Sequence, residues 1–488
     1  MTVNLRPRHP VVAATLSFLL PGLGQAYAGR PWRAVLLALP IVVVAAAVLL
    51  AFGPRAIQFR NQVFSSSFLG GILALNAALL AWRAFAIVDA GLGGWSRPAR
   101  ETAIGIGILV ALAVAMHAYL GLVVVRLDDA LADVFGGRTT VGGVAREDVP
   151  QEAPLNQPEY AWDGTERLNF LLLGIDAAPG REDALADSIL VVSVDPVAEE
   201  AILVSVPRDT GYLPLPDTAI FADGVYPRKI NELASEAAGD PGRWCPDMDP
   251  VQAEACGIRT LERSVGLYLG IELNYYAMVD LVGFTHLVDA VGGIRICLDG
   301  RLSDPEYLDP ETGERGITIG SGCQELDGRT ALAYSRIRSG VMVLADGTVE
   351  PQDDFKRSER QQEVLLALRA ELAAADLIFE LPGLLDAIGR TVSTDFPRSQ
   401  AGDLASLLPL IAAPEIERIV LGLPDYVDPP VDARANYLLV PRRDAIRELA
   451  EQLFGADGPL QGWYVGSEAP SPTESATPTE DPDASTAP

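Results

Sequence analysis

Three apolar stretches, at about Ala34–Phe52, Phe68–Val88 and Thr102–Val125, occupy most of the first 126 residues. Each is long enough to cross a hydrocarbon core of roughly 30 Å, which constrains the fold more than any other feature. A fourth stretch, about Val11–Ala28, is interrupted by Pro21, Gly22 and Gly24 and is expected as an interfacial or re-entrant helix. Arginines set the orientation. Arg6, Arg8, Arg30 and Arg33 precede the first stretch, and Arg83, Arg97 and Arg100 flank the loop after the second; only Arg55 and Arg60 lie between the first two. Positive charge collects on the cytoplasmic side. Residues 1–126 are therefore expected to be an all-α transmembrane region with a cytoplasmic N-terminus. Everything after Arg126 then lies outside a cell membrane crossed several times. With spans following one another, a cleaved signal peptide is not expected.

The rest of the chain is acidic. The net charge of -28 falls almost wholly beyond Arg126, which excludes nucleic acid as a partner, since its binders need a basic face. The cysteines Cys245, Cys256, Cys297 and Cys323 form no C-x-x-C pair and lie far in sequence from His9, His117 and His286. Zinc is therefore not expected. An even count in an oxidising exterior favours two disulfides, Cys245–Cys256 and Cys297–Cys323, each closing a short loop; free buried thiols are the alternative. Residues 127–164 lack periodicity and read as a linker, and 459–488, made of Ser, Thr, Pro, Ala and acid, are expected to be disordered.

From Arg167 the pattern becomes one of strands: Leu168–Ile175, Ile189–Val194 and Ala201–Val206, followed by Pro207-Arg208-Asp209-Thr210. Paired as a meander, they bring Asp176, Asp187 and Arg208 to one sheet edge. Two carboxylates beside an arginine can hold magnesium against phosphate oxygens, although each aspartate alone is as readily a turn or cap residue. Downstream, Leu261–Leu269 and Leu281–Val291 read as helices, Tyr275–Val279 and Ile294–Leu298 as strands, which indicates an α/β layer fold. Residues 380–456 are expected to complete the same domain.

The densest chemistry lies in Tyr334-Ser335-Arg336-Ile337-Arg338, followed by Asp354, Arg357, Arg360 and Gln361. Arginine's planar fork matches phosphate oxygens, so four guanidiniums in an acidic chain suggest an anion site, with surface ion pairs as the bland alternative. A helix from about Asp354 to Ala374 places Asp354, Arg357 and Gln361 on one face. Neither lysine, Lys229 or Lys356, follows a glycine-rich run, so no P-loop is possible. His286, the one histidine of the outer part, sits mid-helix and is expected to be a packing residue rather than a triad base.

Asn169–Asp176, Asp187-Ser188, Ser205–Thr210, Lys229-Ile230-Asn231, Val279-Asp280, Tyr334–Arg338 and Asp354–Gln361 occur in that order. Together they resemble the LytR-CpsA-Psr family of cell-wall glycopolymer ligases over about residues 165–456, within an expected outer domain of 165–458. The resemblance implies a membrane-anchored protein whose outer domain has a central, mostly antiparallel sheet between helical layers and an apolar cavity for a polyprenyl chain. It implies magnesium-dependent transfer of a glycopolymer from a polyprenyl diphosphate carrier onto peptidoglycan, forming a phosphodiester, with membrane lipid as the setting. Asp176 and Asp187 match the magnesium-binding positions. Arg208, Arg336, Arg338, Arg357 and Gln361 match the diphosphate-binding ones. Asp354 and Lys229 match orienting positions, and Asp209 either orients Arg208 or acts as a base. The chain departs from the pattern in Ser188, where threonine is usual, in two apparent insertions, Pro241–Gly257 and Ser339–Asp353, and in its several spans. Residues Leu16–Gln25 separately resemble the opening of small multi-span modules with a PGLGQ-type motif. Competing readings are a diphosphate hydrolase, a non-catalytic anchor or sensor of lipid-linked glycan, and a transporter, the last disfavoured by the scarcity of charge in the spans.

Overall fold

The structure is a computed structural model that describes residues 9–51, 61–92, 99–135, 162, 164–176, 185–217, 219–221, 223–248, 253–374, 381–411, 416–430 and 437–455. The expected tail and most of the expected linker lie outside those residues. The chain divides into two compact units, one of Met1–Arg138 with Ala374–Pro409, the other of Thr139–Ala373 with Leu410–Pro488.

The first unit is helical: α1 (Pro10–Leu19), α2 (Leu23–Tyr27), α3 (Pro31–Ala51), α4 (Ser66–Leu92) and α5 (Arg100–Phe135). The break expected at Pro21 separates α1 from α2. Gly22 there has φ +103° and packs so closely that a Cβ would stand 2.4 Å from the Ala34 carbonyl oxygen, so only glycine fits. The turn delivers Gln25 into the bundle. Its side-chain amide donates to the Ala86 carbonyl at 2.9 Å and to Asp89 at 3.2 Å, and its Oε1 accepts from Ser17 at 2.8 Å. Arg33 donates to the other Asp89 oxygen at 2.8 Å. Outward, Trp32, Val35, Leu39, Phe85 and Ile108 are exposed. Among the described residues, α4 and α5 are long and apolar enough to cross a membrane, whereas α1 and the Pro31–Ala47 part of α3 are shorter.

Two expectations need correction here. The helix α5 continues past Arg126 to Phe135, into the expected linker, because Arg126–Phe135 contains no glycine or proline to stop it. Of residues 380–456, expected to complete the outer domain, those up to Pro409 pack with the first unit and those from Leu410 with the second. The helices Leu381–Thr391 and Ala401–Ile411 flank a segment in which Arg398 donates to Asp128 and, at 2.9 Å, to the Phe64 carbonyl. Asp386 pairs with Arg126 at 3.1 Å, the Asp403 amide donates to Asn61 at 2.9 Å, and fully buried Phe396 lies 6.3 Å from the Phe135 ring. These partners are hundreds of residues apart, so local periodicity could not announce them.

The second unit is built on β1 (Leu168–Asp176), β2 (Leu185–Asp195) and β3 (Glu200–Ser205), which pair antiparallel as the expected meander. A two-residue ladder follows, β4 (Leu213–Pro214) with β5 (Val225–Tyr226), and then β6 (Tyr275–Asp280), parallel to β1. The strand Glu417–Val420 lies parallel to β3. The sheet is thus antiparallel through its middle and parallel at its flanks, where helical crossovers return the chain. One face, with Leu171, Leu173, Val191, Ile202 and Val204, packs against α6 (Ile230–Gly239) and α7 (Ala253–Leu269). Each fully buried Leu or Ile there stabilises by roughly 1.5–3 kcal/mol. The helix α7 starts eight residues before the expected Leu261, with Ile258, Leu261, Val265 and Leu269 forming its buried stripe.

On the opposite face lie α8 (Leu281–Ala290), α9 (Gly328–Arg336) and α10 (Asp354–Ala374), the last with the expected bounds. Asp280 caps α8 by accepting from the Gly283 amide at 2.6 Å, and Asp327 caps α9 through Thr330 at 2.8 Å. Strands β7 (Ile294–Leu298), β8 (Gly300–Leu308), β9 (Arg315–Ile319) and β10 (Gly322–Leu326) precede α9. The apparent insertion Ser339–Asp353 is a hairpin, β11 (Val341–Leu344) with β12 (Val349–Pro351), that adds to β8. Both expected disulfides are present: Cys245–Cys256 within the first apparent insertion, and Cys297–Cys323 between directly paired residues of β7 and β10.

Candidate active site

Consecutive residues of a strand point to opposite faces, yet Asp187 and Ser188 line one cavity. The ladder explains this. Gly174 pairs with Ser188 and Ile175 with Ala186, leaving Asp187 as the extra residue of a β-bulge. The bulge turns the Asp187 carboxylate toward Arg208, whose Nη1 donates to it at 2.6 Å. The Asp187 carbonyl, outside the ladder, accepts from Arg357 Nη2 at 3.2 Å. Gly174 makes room opposite, since a Cβ there would stand 2.9 Å from Ser188 Cβ.

Arg208 follows Pro207, which has no N–H and so ends the third strand's ladder. Asp354 opens α10, where the helix dipole favours a carboxylate. It accepts from Arg357 at 3.1 Å and faces Arg208 Nε at 3.6 Å. Arg357 is only 4% exposed. Burial opposes the charge on Arg208, but Asp187, Asp354 and Asp209 outweigh it and hold the pKa above the ordinary arginine value. For Arg357 burial wins and lowers the pKa, and for Asp354 burial raises it against the pull of Arg357 and Arg208. Among the described residues, Arg208 Nε and Arg357 Nε are buried without an acceptor at hydrogen-bond distance, and Arg208 Nε is held by the charge of Asp354 alone.

Asp209, also buried, makes its hydrogen bond with Lys229, at 2.6 Å, so its direct partner is the lysine rather than Arg208. Arg336 ends α9 and Arg338 follows on the next turn; both line the cavity. Gln361 lines it too, with its amide 3.4 Å from the Ser335 carbonyl. The cavity has a volume of about 1000 Å³ and joins this polar end to an apolar wall that includes Leu172, Leu190, Phe284, Leu365 and Leu368. A single stripe of α10 runs through both: Arg357 and Gln361, then Leu365 and Leu368. That stripe is the sequence signal for the cavity wall, and it matches an amphiphile with an anionic head and an apolar tail.

Of the residues singled out on sequence, Asp187, Arg208, Asp209, Lys229, Arg336, Arg338, Arg357 and Gln361 share this cavity, and Asp354 braces two of them. Arg360 was grouped with the anion-binding guanidiniums, but it is buried on the protein backbone instead. Asp176 stands at the end of β1 opposite Leu185, and its side chain lies outside the described residues. His286, expected to be a packing residue, is instead exposed on α8 and lies outside the cavity lining. Among the described residues no group of three or more His, Cys, Asp and Glu could hold a metal ion. The chemistry of the site still fits magnesium. That ion takes one or two carboxylates together with phosphate oxygens and water, and Asp187 spends one oxygen on Arg208.

Residues 142–453, which contain the whole cavity, match the LytR_cpsA_psr family. The chain belongs to that family. Among its curated members, the polyisoprenyl-teichoic acid–peptidoglycan teichoic acid transferase TagU of Bacillus mycoides is 28% identical over 240 residues, 49% of this chain and 64% of TagU. The regulatory protein MsrR of Staphylococcus aureus is 27% identical over 237 residues, 48% of this chain and 58% of MsrR. The chain therefore covers less than two thirds of those LytR_cpsA_psr relatives. The crystal structure of B. subtilis TagV superposes with a TM-score of 0.42 at 21% identity, over 59% of this chain and 97% of TagV.

Proposed function

We propose that this protein is an extracytoplasmic, magnesium-dependent phosphotransferase that moves a glycopolymer from a polyprenyl diphosphate carrier onto peptidoglycan. The observation that carries this is the cavity itself. One continuous space has an apolar wall for a prenyl chain and a polar end lined by Arg208, Arg336, Arg338 and Arg357. The TagU name, which couples a polyisoprenyl-linked polymer to peptidoglycan, supports the same assignment.

In the reaction an acceptor sugar hydroxyl attacks the phosphorus next to the glycopolymer. A new P–O bond forms, the P–O bond to the bridging oxygen breaks, and polyprenyl phosphate leaves. The hydroxyl proton passes to a base. Arg208, Arg336, Arg338 and Arg357 neutralise the diphosphate, and Gln361 helps hold it in line. Asp354 keeps Arg208 and Arg357 in place, and Lys229 fixes Asp209 at the cavity edge, from which its carboxylate can accept the proton. Asp187, with Asp176 beside it in the strand pair, would hold magnesium, which when bound shares the neutralisation of charge.

The helices α3, α4 and α5 would cross the membrane, an odd number that puts the N-terminus inside and the disulfide-bearing unit outside. The MsrR name favours a second reading, a regulator that binds lipid-linked glycan without turnover. Turnover by purified full-length protein separates the two. Magnesium should also raise the melting temperature of the wild type, and Asp187→Asn should abolish that shift; an equal shift in the variant would remove Asp187 from the metal assignment.

A further inference from the structure

We infer that Arg360 is a positioning residue that fixes the anion-binding arginines Arg336 and Arg338, a role that rests on the lipid diphosphate assignment above. Arg360 is 4% exposed and every nitrogen of its fork is committed. Nε donates to the Tyr334 carbonyl at 2.8 Å, Nη2 to the Ile337 carbonyl, and Nη1 to the Gln352 side chain. The Tyr334 ring lies under the guanidinium at 5.7 Å, and the Tyr334 hydroxyl donates to Glu363, one turn further along α10, at 2.6 Å.

Those acceptors are not arbitrary. Tyr334 is in the last turn of α9, whose final carbonyls have no donor within the helix, and Ile337 is its C-cap. A cation at that end is favoured by the helix dipole as well. The two carbonyls bracket Arg336, and the second immediately precedes Arg338, which lies in the irregular segment between α9 and β11. Gln352 closes the other side. Its backbone N–H donates to the Gly340 carbonyl at 2.9 Å, which ties together the two ends of the β11–β12 hairpin. Arg360 therefore clamps the end of α9, the turn bearing Arg338 and the base of the hairpin to one point on α10. A planar fork with donors in fixed directions can serve three acceptors at once, and an ammonium on a flexible stem cannot.

The test uses full-length protein in detergent and geranylgeranyl diphosphate as the probe, with Kd measured by calorimetry. Arg360→Lys should weaken binding about tenfold, the scale of lost hydrogen bonds to a charged group. Added to the Arg336→Ala/Arg338→Ala pair it should weaken binding no further, because its effect runs through those two side chains. Added to Arg208→Ala, the two losses should multiply. If Arg360→Lys does not fold, Gln352→Ala removes one acceptor and should show the same pattern at smaller size. Losses that multiply equally in both backgrounds would reduce Arg360 to a general stabiliser and overturn the inference, as would unchanged affinity in a folded Arg360→Lys. Failure of the wild type to bind the probe is a distinct result, which would overturn the lipid diphosphate assignment and this role with it.

Discussion

The first unit buries polar side chains and turns apolar ones outward: Ser17, Gln25 and His117 are inside, Trp32, Val35 and Phe85 outside. The second unit does the reverse, with Leu171, Val191 and Leu261 inside its core. On the membrane-anchored reading proposed above, one chain obeys two solvents. In lipid, an apolar surface costs nothing and helices are held together by packing and by polar contacts such as the Gln25–Asp89 pair. In water, apolar burial drives folding and a buried charge is the exception. Among the exceptions in the second unit, Arg357 lines the polar end of the cavity and Asp354 and Arg360 brace it, while Glu262 lies on α7 across the sheet.

That contrast can be broken most directly at Asp354. Asp354→Leu leaves Arg357 buried without its carboxylate and should destabilise the second unit by about 3–5 kcal/mol, read as a lower denaturation midpoint; an unchanged midpoint would mean the pair is not structural. Arg208→Ala should keep the fold, as judged by circular dichroism, and slow transfer by roughly a hundredfold or more, about 3 kcal/mol of barrier. In the first unit the corresponding break is Gln25→Leu, which strips partners from Ser17 and Asp89. It should cost about 1–3 kcal/mol in detergent unfolding and leave diphosphate binding unchanged; loss of binding would show that the units are coupled.

The smallest effect concerns Asp309 in the β8–β9 turn. Burial raises its pKa, but hydrogen bonds from the Thr312 and Glu311 amides and from Arg329 outweigh it and hold the value at about 2, against 3.8 for a free aspartate. A depressed folded pKa means the stabilisation is complete above pH 3.8 and is lost as pH falls through about 2. Half-exposed Arg329 is screened by solvent, so the effect should be roughly 1 kcal/mol. Asp309→Asn should flatten the acid limb of stability in that window, and an unchanged limb would show that other carboxylates govern it.

Much of this was legible in the sequence because it is local. Near-continuous apolar runs indicated the β1–β3 meander, Asp354 and Ala374 bounded α10, and Pro21 marked the helix break. The carboxylate and guanidinium set was visible from residue type alone. The Asp187 bulge was not, because a one-residue register shift leaves no mark in composition. Arg360 looked equivalent to Arg357 one turn earlier, and only tertiary packing shows that its fork is spent on the protein's own backbone. The allegiance of residues 374–409 to the first unit rests on pairs such as Arg126–Asp386 and Asp128–Arg398, whose separation hides them from any window.

The decisive measurement gives full-length protein a labelled polyprenyl diphosphate glycan, peptidoglycan oligomers and magnesium, and follows the label. Label on the peptidoglycan, with polyprenyl phosphate released and both lost in Arg208→Ala, is the expected result. Free glycan alone would make the enzyme a hydrolase, and lipid bound by folded protein with no turnover would contradict the transferase altogether.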